Sequence, residues 1–117
     1  MRDIEDAVEE GNERAILAVD MYQYRIKKYI GSYIAALGGV DVIVFTGGVG
    51  ENMTTIREYV CNGLAFMGVK IDNELNAKIH GKETLLSTPE STVKVVVIPT
   101  DEEYMIASDT LEIIEKL

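Results

Sequence analysis

Val42-Ile43-Val44-Phe45-Thr46-Gly47-Gly48-Val49-Gly50-Glu51-Asn52 runs from apolar, β-branched residues into three closely spaced glycines, and the fold turns on that break. The nearly continuous apolar stretch from Val40 to Phe45 predicts a short strand buried on both faces of a largely parallel sheet. The glycines predict a tight turn into a helix over about 53–67, ended by Gly68. A second buried strand follows at Val93 to Ile98, stopped by Pro99. Between the two, Val69–Ile71 reads as a short strand. Residues 72–91 are polar, with a helical turn near Glu74 and a short strand at Leu85–Ser87. Upstream, Ile16, Val19, Tyr22, Ile26, Tyr29, Ile30, Tyr33 and Leu37 recur at helical spacing and predict one long amphipathic helix over 13–37, stopped by Gly38 and Gly39. Residues 3–10 form a short acidic helix in this reading. A last helix over about 101–116 turns Met105, Ile106, Ile113, Ile114 and Leu117 inward. Strands alternating with helices imply an α/β fold. With no linker in sight, residues 1–117 are expected to form a single domain.

Charge removes several function classes. Twenty acidic residues against 11 basic give a net charge of −9, which opposes a nucleic-acid backbone and an anionic lipid surface. No apolar run approaches the roughly 20 residues of a membrane span. The N-terminal residues are acidic and helical in pattern, unlike a signal peptide. The one cysteine, Cys61, has no partner for an internal disulfide, which fits a reducing, cytoplasmic setting. The one histidine, His80, sits in a polar stretch beside Gly81 and reads as a surface residue.

Ligands of open α/β sheets collect at the carboxyl ends of strands, and both ends here carry unusual residues. Gly47, Gly48 and Gly50 let a ligand approach bare backbone, and a following helix offers free amides to an anion. Glu51 and Asn52 add groups able to bond a ribose. The plain alternative is a strand-to-helix turn with Asn52 as helix cap. The segment is neither a P-loop nor a dinucleotide fingerprint, because no Lys-Ser/Thr follows the glycines and the G-x-G-x-x-G spacing is absent. At the second end, Ile98-Pro99-Thr100-Asp101-Glu102-Glu103 crowds three acids at a helix start. Thr100 and Glu103 predict a capping box. Glu102 is left over, and a carboxylate there suits a hydrated Mg²⁺ ion held together with phosphates.

Phe45 to Asn52 resembles the adenosine-contacting signature of the acetate kinase family. Ile98 to Glu103 is similar to that family's C-terminal stretch, where asparagine is common at the position of Asp101. Gly11 to Ala15, Tyr24 to Gly31 and Ser87-Thr88-Pro89 match as well, so the resemblance covers essentially the whole chain. It implies the C-terminal, nucleotide-binding domain portion of the RNase H-like fold shared by sugar kinases, Hsp70 and actin. The family transfers the γ-phosphoryl group of ATP reversibly to acetate, with Mg²⁺. By resemblance, Gly48, Val49, Gly50, Glu51 and Asn52 line an ATP/ADP site. Arg2 matches a nucleotide-contacting arginine, and Glu102 is the magnesium-associated carboxylate. The resemblance also implies a homodimer.

The family's acceptor-binding and transition-state residues have no match here. The catalytic set is therefore expected to lie outside this chain, in an absent N-terminal acyl-substrate portion, leaving the chain inactive alone. His80 does not match the family's catalytic histidine, and Ser108 stands where many members have arginine. A propionate or butyrate kinase portion is the close alternative, and a non-catalytic interaction domain of the same fold is the distant one.

Overall fold

The computed structural model describes residues 1–117, the side chain of Arg2 excepted. In chain order the elements are α1 (Arg2–Glu9), α2 (Glu13–Leu37), β1 (Val42–Phe45), α3 (Gly47–Asn52), α4 (Thr54–Asn62), a 3₁₀ turn (Ala65–Met67), α5 (Asn73–Asn76), β2 (Thr84–Leu85), β3 (Lys94–Val97) and α6 (Glu102–Glu115). Asn12 starts α2 by accepting bonds from the amides of Arg14 and Ala15. Gly38 ends it in the left-handed conformation. The long helix thus has the bounds that its spacing predicts.

The sheet has the order β1-β3-β2. β1 and β3 are parallel, with Phe45 opposite Val97, and β2 is antiparallel to β3. Val69–Ile71 contributes two isolated bridges, to Val93 and Ser87, rather than a full strand. The core unites Ile43, Phe45, Val95 and Val97 from the sheet with Ile56, Val60 and Cys61 from α4.

Two expectations, for β1 and α6, are corrected. β1 is covered on one face only. Ile43 and Phe45 are buried, whereas Val42 and Val44 stay 44% and 48% exposed. The apolar run reads as two-sided burial because both faces are equally apolar, but these residues supply a cover for one face alone.

The apolar stripe of α2 is also mostly bare. Ile34 is buried and Val19, Ile26 and Ile30 are half-buried, while Ile16, Tyr22, Tyr29, Tyr33 and Leu37 are exposed. Finally, every residue of α6 is exposed, including Met105, Ile106, Ile113 and Ile114, as is Leu117 beyond it. Helical periodicity correctly gives the helix, but it cannot say whether a partner surface is present.

Candidate functional site

Parallel pairing puts the carboxyl ends of β1 and β3 side by side. The Ile98 amide donates to Phe45 O at 3.0 Å, so the chain beyond Phe45 and the chain beyond Val97 leave the sheet together. The two unusual segments of the sequence meet at this edge.

The first folds tighter than expected. Gly47 to Asn52 are not a turn preceding a helix; they are helix α3 itself, entered from extended Thr46. Gly47 has φ +68°, a left-handed conformation that side-chain-bearing residues rarely adopt. A Cβ on Gly50 would lie 3.1 Å from the carbonyl carbon of Phe45, so this glycine lets α3 sit against its own strand. Gly48 has no such neighbour within 4 Å and is exposed. It leaves backbone open to anything approaching the sheet edge. Asn52 does not cap the following helix, because its amide donates back to Gly48 O at 3.0 Å and closes α3.

Glu51 ties the two segments together. Its Oε1 accepts from the Thr100 amide at 2.9 Å and from the Thr100 hydroxyl at 3.1 Å. The backbone bond from Thr100 is the main reason its carboxyl is held below the ordinary carboxylate range. Partial burial opposes this, and the Thr100 hydroxyl and the Gly47 amide add to it.

Because Thr100 is engaged with Glu51, the predicted capping box with Glu103 does not form. Asp101 caps α6 instead, accepting from the Tyr104 amide at 3.0 Å. A competing partner 49 positions away outweighs the local motif. Glu102 and Glu103 stand free in the first turn of α6. Glu102 borders an open groove of about 540 Å³, shared with Thr100, Asp101, Met105 and Ile106.

Sequence reasoning misses the brace behind α3. Arg57 of α4 is fully buried. Its Nε donates to Asn76 Oδ1 at 2.7 Å and its Nη1 to Gly50 O at 2.9 Å. Its Nη2 reaches Asn76 O at 3.2 Å and Ile79 O at 2.6 Å. His80, exposed as expected, donates from Nδ1 to Asn52 O at 3.1 Å, since a carbonyl can only accept. The Gly81 amide bonds Glu51 O at 3.2 Å. The signal that points to Arg57 is a charged residue on the apolar face formed by Met53, Ile56, Val60 and Leu64.

As a metal site, the chain's own groups are sparse. Among the described residues, no three His, Cys, Asp or Glu side chains converge. Asp101 is spent on its cap and Glu51 on Thr100. Glu102 therefore fits only a largely hydrated ion bound in common with phosphates. The side chain of Arg2, matched by resemblance to a nucleotide contact, lies outside the described residues.

The sequence profile of the Acetokinase family matches residues 1–108. The chain belongs to that family. It is 64% identical to the acetate kinase of Bacteroides thetaiotaomicron over 116 residues, 99% of this chain and 29% of that protein. It superposes on the crystal structure of Porphyromonas gingivalis acetate kinase with a TM-score of 0.88 at 63% identity, covering 97% of this chain and 28% of that one. A propionate kinase from Francisella tularensis is similar too, with a TM-score of 0.77 at 35% identity over 91% of this chain and 27% of that one. The fold is thus a part of the sugar kinase/actin-like α/β fold of acetokinases. The chain spans about 29% of the length of the curated relatives that it matches.

Proposed function

We propose that residues 1–117 form the C-terminal, nucleotide-binding domain portion of an acetate kinase, which exchanges the γ-phosphoryl group of ATP with acetate. The observation that carries this reading is the Glu51–Thr100 bond, which joins the glycine helix to the acidic segment at one sheet edge in an acetokinase-family chain. In this reading Gly48, Val49, Gly50, Glu51 and Asn52 line the ATP/ADP site. The open backbone at Gly48 receives the nucleotide, and the Glu51 bond fixes α3 relative to Thr100. Arg2 at the chain's start contributes a further nucleotide contact. Glu102 holds Mg²⁺ together with the phosphates. When bound, the ion neutralises charge developing on the transferred group.

The acyl acceptor binds outside these residues, in an N-terminal portion, so the 117-residue protein by itself forms no acetyl phosphate above background. Acetate is the acceptor in this reading, supported by the likeness to acetate kinases. Propionate is the second reading, favoured by the propionate kinase likeness. Two copies associate through apolar surface left bare on this portion, in the cytoplasm. No described helix is long and apolar enough to cross a membrane.

Calorimetric titration with ADP, with and without Mg²⁺, tests the proposal. Saturable binding strengthened by Mg²⁺ is expected, with Glu102→Gln removing the metal's contribution and leaving the melting temperature unchanged. Absence of saturable binding in the wild-type chain contradicts the nucleotide site. An unaltered metal response in Glu102→Gln contradicts the assignment of Glu102.

A further inference from the structure

Arg57 is a buried cation without a counterion. No carboxylate pairs with it among the described residues, and burial pushes its pKa down. Taking a guanidinium out of water is costly, and an apolar side chain in its place would avoid that cost. Its retention has to be explained by what it bonds.

All four of its acceptors belong to two short segments. One is Gly50 O, a carbonyl near the C-terminal end of α3, where the helix supplies no amide. The others are both oxygen atoms of Asn76, which ends α5, and Ile79 O just beyond. Asn76 also donates from its side chain to Thr54 O at 2.9 Å. His80 and Gly81 then bond Asn52 O and Glu51 O. Residues 76–81 therefore back the glycine helix from behind, and Arg57 is the centre of the contact. Among the described residues, no other group bonds Gly50 O.

We infer that Arg57 is a positioning residue, one that sets the conformation of Gly47–Asn52, and so the nucleotide affinity of the sheet edge, by clamping Gly50 O to Asn76 and Ile79. The second half of that statement rests on the nucleotide reading given above; the first half does not. A planar fork is required, because the acceptors lie on different sides of one guanidinium. A lysine offers the same charge from a single point and cannot span them.

Two measurements on the 117-residue chain test this. In the wild type, NMR of the Arg57 side chain should show a slowly exchanging Nε–H and restricted guanidinium rotation. A freely exchanging, rotating guanidinium overturns the clamp without need of any variant. Arg57→Lys is then compared with Leu86→Ala, a core change beside β2, which β3 separates from β1 and α3, at a temperature where both are folded. Arg57→Lys should displace the backbone amide resonances of residues 47–52 and weaken ADP binding by about tenfold. Leu86→Ala should lower melting but leave those resonances and the affinity near wild type. If Arg57→Lys behaves like Leu86→Ala, Arg57 is merely structural and the inference fails. If the wild type binds no ADP, the nucleotide reading fails while the resonances still decide the clamp.

Discussion

Glu51 is the residue on which the two halves of the site depend. Its carboxylate is favoured by hydrogen bonds, so its folded pKa lies below its unfolded one. The tie to Thr100 is therefore fully present above the ordinary carboxylate range and is lost as pH falls through the depressed folded value. Protonation should release Thr100 and loosen the edge, visible as movement of the Thr100 amide resonance with the Glu51 carboxyl titration. Glu51→Gln should abolish that acid-dependent movement; its persistence in the variant would assign the titration to another group. Cys61 behaves in the opposite way. It is buried in the core and its thiol is pushed up to about 12 by burial, slightly offset by the Arg57 charge. It should resist alkylation at pH 8 while the chain is folded and react promptly in denaturant. Rapid native-state labelling would show the core around α4 to be open. At this scale the candidate residues were legible, because glycines and acids at strand ends are conspicuous. Their bonds were not. Thr100 had a local partner available in Glu103, and only the tertiary pairing of β1 with β3 brings Glu51 within reach.

α3 and α6 show what elements need from their surroundings. Three glycines in six residues make α3 a poor helix on propensity alone, as each costs roughly 1 kcal/mol against alanine in a helix interior. The sequence therefore reads as a turn, and the helix is held by Arg57, Asn52 and the segment 76–81 instead. Gly50→Ala should be destabilising despite its better propensity. The added Cβ meets Phe45 backbone at 3.1 Å, which cannot swing aside like a side-chain tip. A loss of about 1–3 kcal/mol is expected from overpacking of this kind. Unchanged or raised stability by chemical denaturation would mean that α3 does not pack against its strand. In α6 the cap is Asp101, and no residue of the helix is buried. An unsupported helix of this length is marginal. Losing a cap costs about 0.5–2 kcal/mol, so Asp101→Ala should fray α6 and lower helical ellipticity with little change in core melting. Glu103→Ala should do neither. A core melting shift in Asp101→Ala would show that α6 is docked.

The whole molecule is extended for its size. Its radius of gyration is 16.9 Å, against about 13 Å for a compact chain of 100 residues. The excess comes from elements that carry apolar side chains without covering them: the outer face of β1, much of α2, and α6. Pattern alone located these surfaces and assigned those of β1 and α6 inward, because it reports which side of an element is apolar and not what lies against it. Bare apolar surface on this scale favours association. Light scattering at micromolar concentration should give a mass well above 12.9 kDa; a clean monomer would contradict the proposed pairing. The joined strand ends are the proposed nucleotide site. Amide chemical-shift mapping of the isotopically labelled chain during titration with ADP and Mg²⁺ tests it most directly. Saturable shifts concentrated in residues 46–52 and 98–103 are expected. Shifts that fail to saturate, or that cluster elsewhere, such as on α2, would contradict it.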